Sequence, residues 1–321
     1  MRGKKKAPAS RKPQRRAAQK AAGGRIGLNA VTHDDSPASP AEDVDRSIKV
    51  LREWQSLNHW MLRDGMFDGG SGPMILDFVD SLMALRSDAS LSLARMGDGE
   101  LALATGVGVP NNGCQGASDS LKDALQRVLR CDNPKCRVAL PKAFFYSEPM
   151  SVSHEIERFV VDAFRPSFVS GDYAAYIRTD YAYLDASMSV VRRHYPDLGR
   201  RVYYAYYSLL KPILSGRDVI VVSGDSRCFE YDRSLLADSG VKSAAMLMVP
   251  RGGAWELYPH IKQRLLDING TGSRLVLLAC GPTASVLAYE LADKMRCLDM
   301  GHIFSDYNLT FDGAEIGSFW A

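Results

Sequence analysis

The chain has 321 residues, 46% of them hydrophobic and 24% charged, with 27 glycines and 15 prolines. These proportions exclude collagen-like, wholly disordered and short disulfide-stapled proteins, and the longest apolar runs fall far short of the ~20 residues a membrane-spanning helix needs. The net charge of +3 conceals an asymmetry: residues 1–25 carry ten Lys or Arg and no acid, which leaves 30 basic against 37 acidic residues in the remainder.

Residues 1–44 are rich in Ala, Lys, Arg, Pro and Ser and nearly devoid of large apolar side chains. Such a segment cannot bury enough surface to offset its ordering entropy, so it is expected to be a disordered basic tail. It lacks the apolar centre of a secretory signal. Its charge suits an anionic membrane surface, with nucleic acid the less favoured partner. A solvated tail is the plainer reading, because basic runs alone do not specify a partner.

Residues 45–321 are expected to form a single domain. Ile75, Leu76, Val79, Leu82 and Met83 fall at helical spacing, which predicts a helix over 73–86. A strand over 91–95 leads into the turn Gly97-Asp98-Gly99 and a helix starting at Glu100. Ser118 caps a predicted helix over 118–130, and a strand over 137–140 is stopped by Pro141. Helices are predicted over 151–164 and through much of 173–194, with Pro166 between them. The second half alternates more plainly: strands at 218–222, 244–249, 274–279 and 296–299, with helices at 231–239, 254–268 and 282–294. Alternation with near-continuous apolar strands predicts an α/β, Rossmann-like, mostly parallel sheet with helices on both faces. Six cysteines lie scattered without C-x-x-C spacing. They read as reduced thiols and point to a cytoplasmic location, peripheral at the inner membrane face if the tail binds lipid.

Ligands of such sheets lie outside the carboxyl ends of the strands. Four predicted strand ends carry polar, glycine-containing turns: Arg95-Met96-Gly97-Asp98-Gly99-Glu100, Ser223-Gly224-Asp225-Ser226, Pro250-Arg251-Gly252-Gly253 and Cys280-Gly281-Pro282-Thr283. Glycines let backbone approach a ligand, and Arg251 has the chemistry to pair with phosphate. Gly281-Pro282-Thr283 opens a helix whose free N–H groups suit an anion. Arg178, beside an aromatic run, is a further candidate phosphate clamp. Tyr203, Tyr204, Tyr206 and Tyr207 suit either a sugar platform or, more simply, packing.

Asp98 and Glu100 are the most informative pair. Two carboxylates one residue apart on a tight turn can converge on a hard cation such as Mg²⁺ or Mn²⁺, with substrate phosphates completing its shell. The competing reading is that Asp98 caps the next helix and Glu100 favours its positive end. Gly97-x-Gly99-x-x-Ala102 also matches a dinucleotide fingerprint, which would make the chain an NAD-linked oxidoreductase. That reading sets two acids against a pyrophosphate and lacks the later acid the fingerprint requires. A non-catalytic binding protein with a basic tail is a third possibility.

Residues 92–101 (SLARMGDGEL) resemble the SIARFGDGE signature of the GT-D-fold glycosyltransferases, bacterial enzymes with a D-x-E motif. Residues 279–292 (ACGPTASVLAYELA) resemble that family's LGPTATVLAYDLA block, and residues 297–302 (CLDMGH) its ALDIGH block. Residues 216–224 are similar to a middle block, and residues 177–179 to a short arginine motif. The resemblance implies a GT-D-type fold, a UDP-sugar donor, a glycan or glycoprotein acceptor, and Mn²⁺ or Mg²⁺ as cofactor. By position it assigns metal and diphosphate binding to Asp98 and Glu100. It places Gly281 and Thr283 at the helix-opening block, and Asp299 and His302 at the terminal block. Phe304 stands where the family usually has Asp, which shifts that acid's role to Asp306. His302 and Asp306 are thus the candidate bases for the acceptor hydroxyl. Arg95, Gly97, Gly99, Arg178, Gly224, Arg251, Gly281 and Thr283 are the expected donor-binding residues.

Overall fold

The computed structural model describes residues 40–59, 73–106, 115–142, 175–191, 200–224 and 234–312. Contacts divide the chain into Met1–Pro37 and Ala38–Ala321, and all described residues belong to the second unit. Helix α1 (Pro40–His59) begins before the expected boundary at residue 44. The expectations of a disordered tail before residue 40 and of helices at 151–164 and 231–233 lie outside the described residues.

Eight strands form one parallel sheet: β1 (Met74–Ile75), β2 (Ser92–Arg95), β3 (Cys136–Leu140), β4 (Ala182–Asp185), β5 (Asp218–Ser223), β6 (Ser243–Met248), β7 (Leu275–Ala279) and β8 (Cys297–Asp299). Their order across the sheet is β1-β4-β3-β2-β8-β7-β5-β6. The helices after α1 are α2 (Phe78–Ser87), α3 (Asp98–Thr105), α4 (Asp119–Leu129), α5 (Arg200–Leu214), α6 (Leu235–Asp238), α7 (Tyr258–Ile268), α8 (Pro282–Leu291) and α9 (Ile303–Asp312).

Side chains alternate strictly along the strands and split the interior into two layers. Ile220, Val222, Val276 and Leu278 face one layer with Leu101 of α3, Leu121 of α4, Ile261 of α7 and Leu287 of α8. Val219, Val221, Leu275 and Leu277 face the other, with Leu51 of α1, Leu82 of α2, Tyr206 of α5, Leu235 of α6 and Tyr307 of α9. Connections that step toward β1 use the first layer and those that step toward β6 use the second, as right-handed crossovers require. From β5 the chain steps outward to β6, and from β7 it steps inward to β8. The topological switch therefore falls between β5 and β7, and ligands of such sheets lie outside the carboxyl ends of the strands.

Two local expectations fail for identifiable reasons. Residues 73–86 are not one helix. Ile75 pairs with Tyr183 across β1 and β4, and Asp77 Oδ1 then accepts the Asp80 N–H at 2.8 Å to start α2. Within 173–194, the described residues hold β4 and a 3₁₀ turn over Ala186–Ser189 in place of a helix. Long-range pairing with β1 and β3 decides that segment, and four residues are too few to show a period. The tyrosines at 206 and 207 are fully buried and edge-packed, with centroids 4.6 Å apart, so packing is their role. Tyr204 alone of that group is exposed.

Candidate active site

Arg95 ends β2, and Gly97 forms the N-cap of α3. The expected turn is thus a helix start, with Asp98 exposed at its first position and Glu100 in its first turn. Glu100 folds back so that its Oε2 accepts the Gly97 N–H at 2.9 Å. The approach is close: a Cβ at residue 97 would lie 2.8 Å from Glu100 Oε2 and 2.9 Å from Arg95 Nη1. An added methyl there would have to displace one of these two side-chain ends. Glu100 is 9% exposed. Burial pushes its carboxyl up to about 7, with Arg95 opposing the rise and the charges of Asp299 and Asp98 adding to it.

Asp299, at the end of β8 and 4% exposed, faces the same cluster. Its Oδ2 accepts the Arg95 N–H at 3.3 Å and lies 2.8 Å from Ser285 Oγ, and its Oδ1 accepts the Gly301 N–H at 3.2 Å. Ser285 Oγ is also 2.7 Å from the Arg95 carbonyl oxygen. A hydroxyl has one proton to donate, so both serine contacts are hydrogen bonds at once only when Asp299 carries a proton. The pKa agrees: burial raises the Asp299 carboxyl to about 6, against the lowering influence of Arg95 and of its hydrogen bonds. The Arg95 guanidinium donates from Nε to the Ala186 carbonyl at 3.2 Å. A Cβ on Gly301 would meet Arg95 Nη1 at 3.3 Å and Ser189 Oγ at 3.4 Å. One guanidinium therefore underlies the glycines of two separate turns.

The other strand ends complete the rim. Gly281 caps α8 at φ 64° and ψ −152°, a region essentially closed to residues with a Cβ. Pro282 then starts the helix, and Thr283 Oγ1 is buried without a hydrogen-bond partner. Gly224, after β5, lies against the turn after β6, where a Cβ would come within 2.6 Å of Arg251 Cα. The Arg251 side chain is exposed, as is His302 just beyond Gly301. Gly99 is buried in the first turn of α3. Asp225 and Ser226 of the same turn lie outside the described residues.

Two sequence candidates stand elsewhere. Arg178 precedes β4 at the amino ends of the strands and is paired with exposed Asp180, Nη2 to Oδ2 at 2.8 Å. It therefore stands at the opposite end of the sheet from the glycine turns that follow β2, β5 and β7. Asp306 is fully buried on α9 in the opposite helix layer, where its Oδ2 accepts from Tyr207 Oη at 3.0 Å. A carboxylate enclosed in that layer does not reach an acceptor hydroxyl at the rim. Sequence reading in turn missed Ser285 and Gly301. The only signal for Ser285 was a lone hydroxyl within the buried run Ala284, Val286, Leu287.

Glu100 lies within electrostatic reach of Asp98, Asp299 and Arg95, and burial is the main cause of the raised proton affinity of both Glu100 and Asp299. Among the described residues no group of three or more His, Cys, Asp or Glu side chains is arranged to hold a metal by itself. A Mg²⁺ or Mn²⁺ ion held by one or two carboxylates and substrate phosphates is compatible with that.

An all-parallel α/β sheet with glycine turns and an acidic helix start at the carboxyl ends of its strands defines a Rossmann-like fold whose ligands are expected at those ends. Residues 93–316 match the family model described as glycosyltransferase GT-D fold, and the chain belongs to that family. It is 27% identical over 242 residues to a probable glycosyl transferase Gly of Streptococcus gordonii. It is 26% identical over 245 residues to the glycosyltransferase GlyD of Streptococcus pneumoniae. Each match covers 74% of this chain but only 33% and 28% of those proteins, so the chain spans about a third of the length of these curated relatives. A solved structure described as a highly conserved domain of unknown function with a distinct glycosyltransferase fold superposes with a TM-score of 0.65 at 25% identity, covering 86% of this chain and 87% of that one. A further structure, a new glycosyltransferase from Streptococcus sanguinis, gives a TM-score of 0.65 at 26% identity, covering 75% and 86%.

Proposed function

We propose that the chain is a metal-dependent glycosyltransferase that moves a sugar from a UDP-sugar to a glycan or glycoprotein acceptor. The observation that carries this reading is the acidic start of α3 at the carboxyl end of β2, where buried Glu100 lies near Arg95, Asp299 and Asp98. Asp98 and Glu100 would hold Mn²⁺ or Mg²⁺, which when bound offsets the charge developing on a diphosphate leaving group. Asp98, already exposed, meets a ligand without desolvation. Glu100 has to turn from the Gly97 N–H, which frees that amide for an anion. Gly281 brings backbone close to the donor, the first N–H groups of α8 suit its phosphate or sugar hydroxyls, and exposed Arg251 has the chemistry to pair with phosphate. Exposed His302 is the candidate base for the acceptor hydroxyl.

The oxidoreductase reading has no comparable support, because the family model and the curated relatives that the chain matches are glycosyltransferases. A panel of UDP-sugars incubated with and without Mn²⁺ tests the proposal through released UDP. Release that requires Mn²⁺ supports it, and release indifferent to Mn²⁺ and to chelator contradicts metal dependence. Among the described residues no helix is long and apolar enough to cross a membrane. The ten bases of residues 1–25 suit a tether to an anionic lipid surface, where each basic side chain contributes ~1 kcal/mol.

A further inference from the structure

We propose that Asp299, with Ser285, is a positioning residue that locks three turns of the transfer site into one register. The proposal rests on the reading of the site given above and adds a role for two residues outside the D-x-E pair. The Asp299 carboxyl joins three elements that are remote in sequence. It receives the backbone N–H of Arg95, the residue that leads β2 into the D-x-E helix start. It contacts Ser285, one turn into the helix opened by Gly281 and Thr283. It also receives the N–H of Gly301, the residue before His302. Ser285 Oγ closes the triangle by reaching the Arg95 carbonyl at 2.7 Å.

Both polar groups of the Arg95 backbone are thereby fixed by side chains from other elements, although a strand end would ordinarily leave them to its neighbours. The packing repeats the message on the far side of the same residue. The Arg95 guanidinium lies so close to residues 97 and 301 that a Cβ at either would come within 2.9 Å and 3.3 Å of Nη1. Arg95 is thus held at its backbone by Asp299 and Ser285, and its side chain sets the height of the two turns that carry Asp98, Glu100 and His302. A displacement at Asp299 reaches all three turns through hydrogen bonds under 3.5 Å. A carboxyl kept at 4% exposure is a costly choice for packing alone, since an apolar side chain would fill the space without desolvation.

Calorimetric titration of the full-length chain with UDP in the presence of Mn²⁺ tests the proposal, with Ser285→Ala, Asp299→Asn and the remote core truncation Leu265→Ala compared at matched temperature. Asn at residue 299 keeps the shape but meets one of its N–H donors with an NH₂ group. Loosened turns should weaken UDP binding at least fivefold in Ser285→Ala and Asp299→Asn. Leu265→Ala should lower Tm while leaving the affinity within twofold of the wild type. Unchanged affinity in both site variants, or an equal loss in Leu265→Ala, overturns the positioning role. Absence of UDP binding by the wild type would instead overturn the donor reading itself, and the positioning role with it. Should Asp299→Asn fail to fold, Ser285→Ala decides, since it removes a single hydroxyl from an otherwise apolar helix face.

Discussion

At the scale of single residues, the account turns on how few atoms separate the acids from the glycines beside them. Gly97→Ala would drive a methyl against Glu100 Oε2 and Arg95 Nη1. It should lower stability by about 1–3 kcal/mol in urea unfolding, the usual range for forcing an extra group into a filled site. A variant as stable as the wild type would show that the Glu100 cap is not held as described. Asp299 makes a pH prediction of definite sign. Its carboxyl sits at about 6 in the folded chain against an ordinary 3.8. The folded state binds that proton more tightly, so the cost of burying the charge is absent below about pH 4, grows as pH rises and is complete above about pH 6. Asp299→Asn lacks this slope, and the Tm difference between variant and wild type should move in the variant's favour from pH 4.5 to about pH 7. A difference that stays constant across that window contradicts the burial-driven shift. Asp98 and Glu100 were legible because two acids flanking a glycine after a strand form a local pattern. Ser285 was not, because a lone serine in an apolar helix acquires meaning only once α8 lies against β2.

At the scale of elements, most of the alternating second half of the chain was readable, since β5, β6 and β7 are short apolar runs followed by expected helices, whereas α9 (Ile303–Asp312) was not anticipated. The segment around β4 was not. Four residues, Ala182 to Asp185, hold the place between β1 and β3 through pairings with residues 40 to 110 positions away, and nothing local announces them. The same limit misplaced Asp306. The family resemblance, with Phe304 in place of an acid, pointed to Asp306 for a role at the rim, whereas α9 carries it into the layer occupied by α5. There Tyr207 donates to it at 3.0 Å and packs edge-on against Tyr307 at 4.7 Å. Tyr207→Phe deletes that donor and should cost about 1–3 kcal/mol, as for a buried acceptor losing a partner. UDP release per folded molecule should stay within twofold of the wild type. A tenfold loss of turnover at unchanged Tm would instead place this pair within the reaction.

At the scale of the whole molecule, the sheet order puts a switch point between β5 and β7, two strands from β2 and the acidic helix start that follows it. Parallel alternation made the class of fold evident, but the order of strands was hidden, because crossovers leave no mark in sequence. Charge distribution gives the molecule its other large-scale feature. If residues 1–25 tether the chain to anionic lipid, sedimentation with phosphatidylserine vesicles should exceed that with phosphatidylcholine, fall steeply with added salt, and disappear when those residues are deleted. Equal sedimentation by the deleted chain would place any lipid affinity in the body.

The most direct test of the whole account is a Mn²⁺ titration followed by electron paramagnetic resonance in the presence of UDP, comparing the wild type with Asp98→Asn and Glu100→Gln after each is shown to fold. The account predicts bound Mn²⁺ in the wild type and at least tenfold weaker binding in each variant. Equal binding by all three proteins would contradict it.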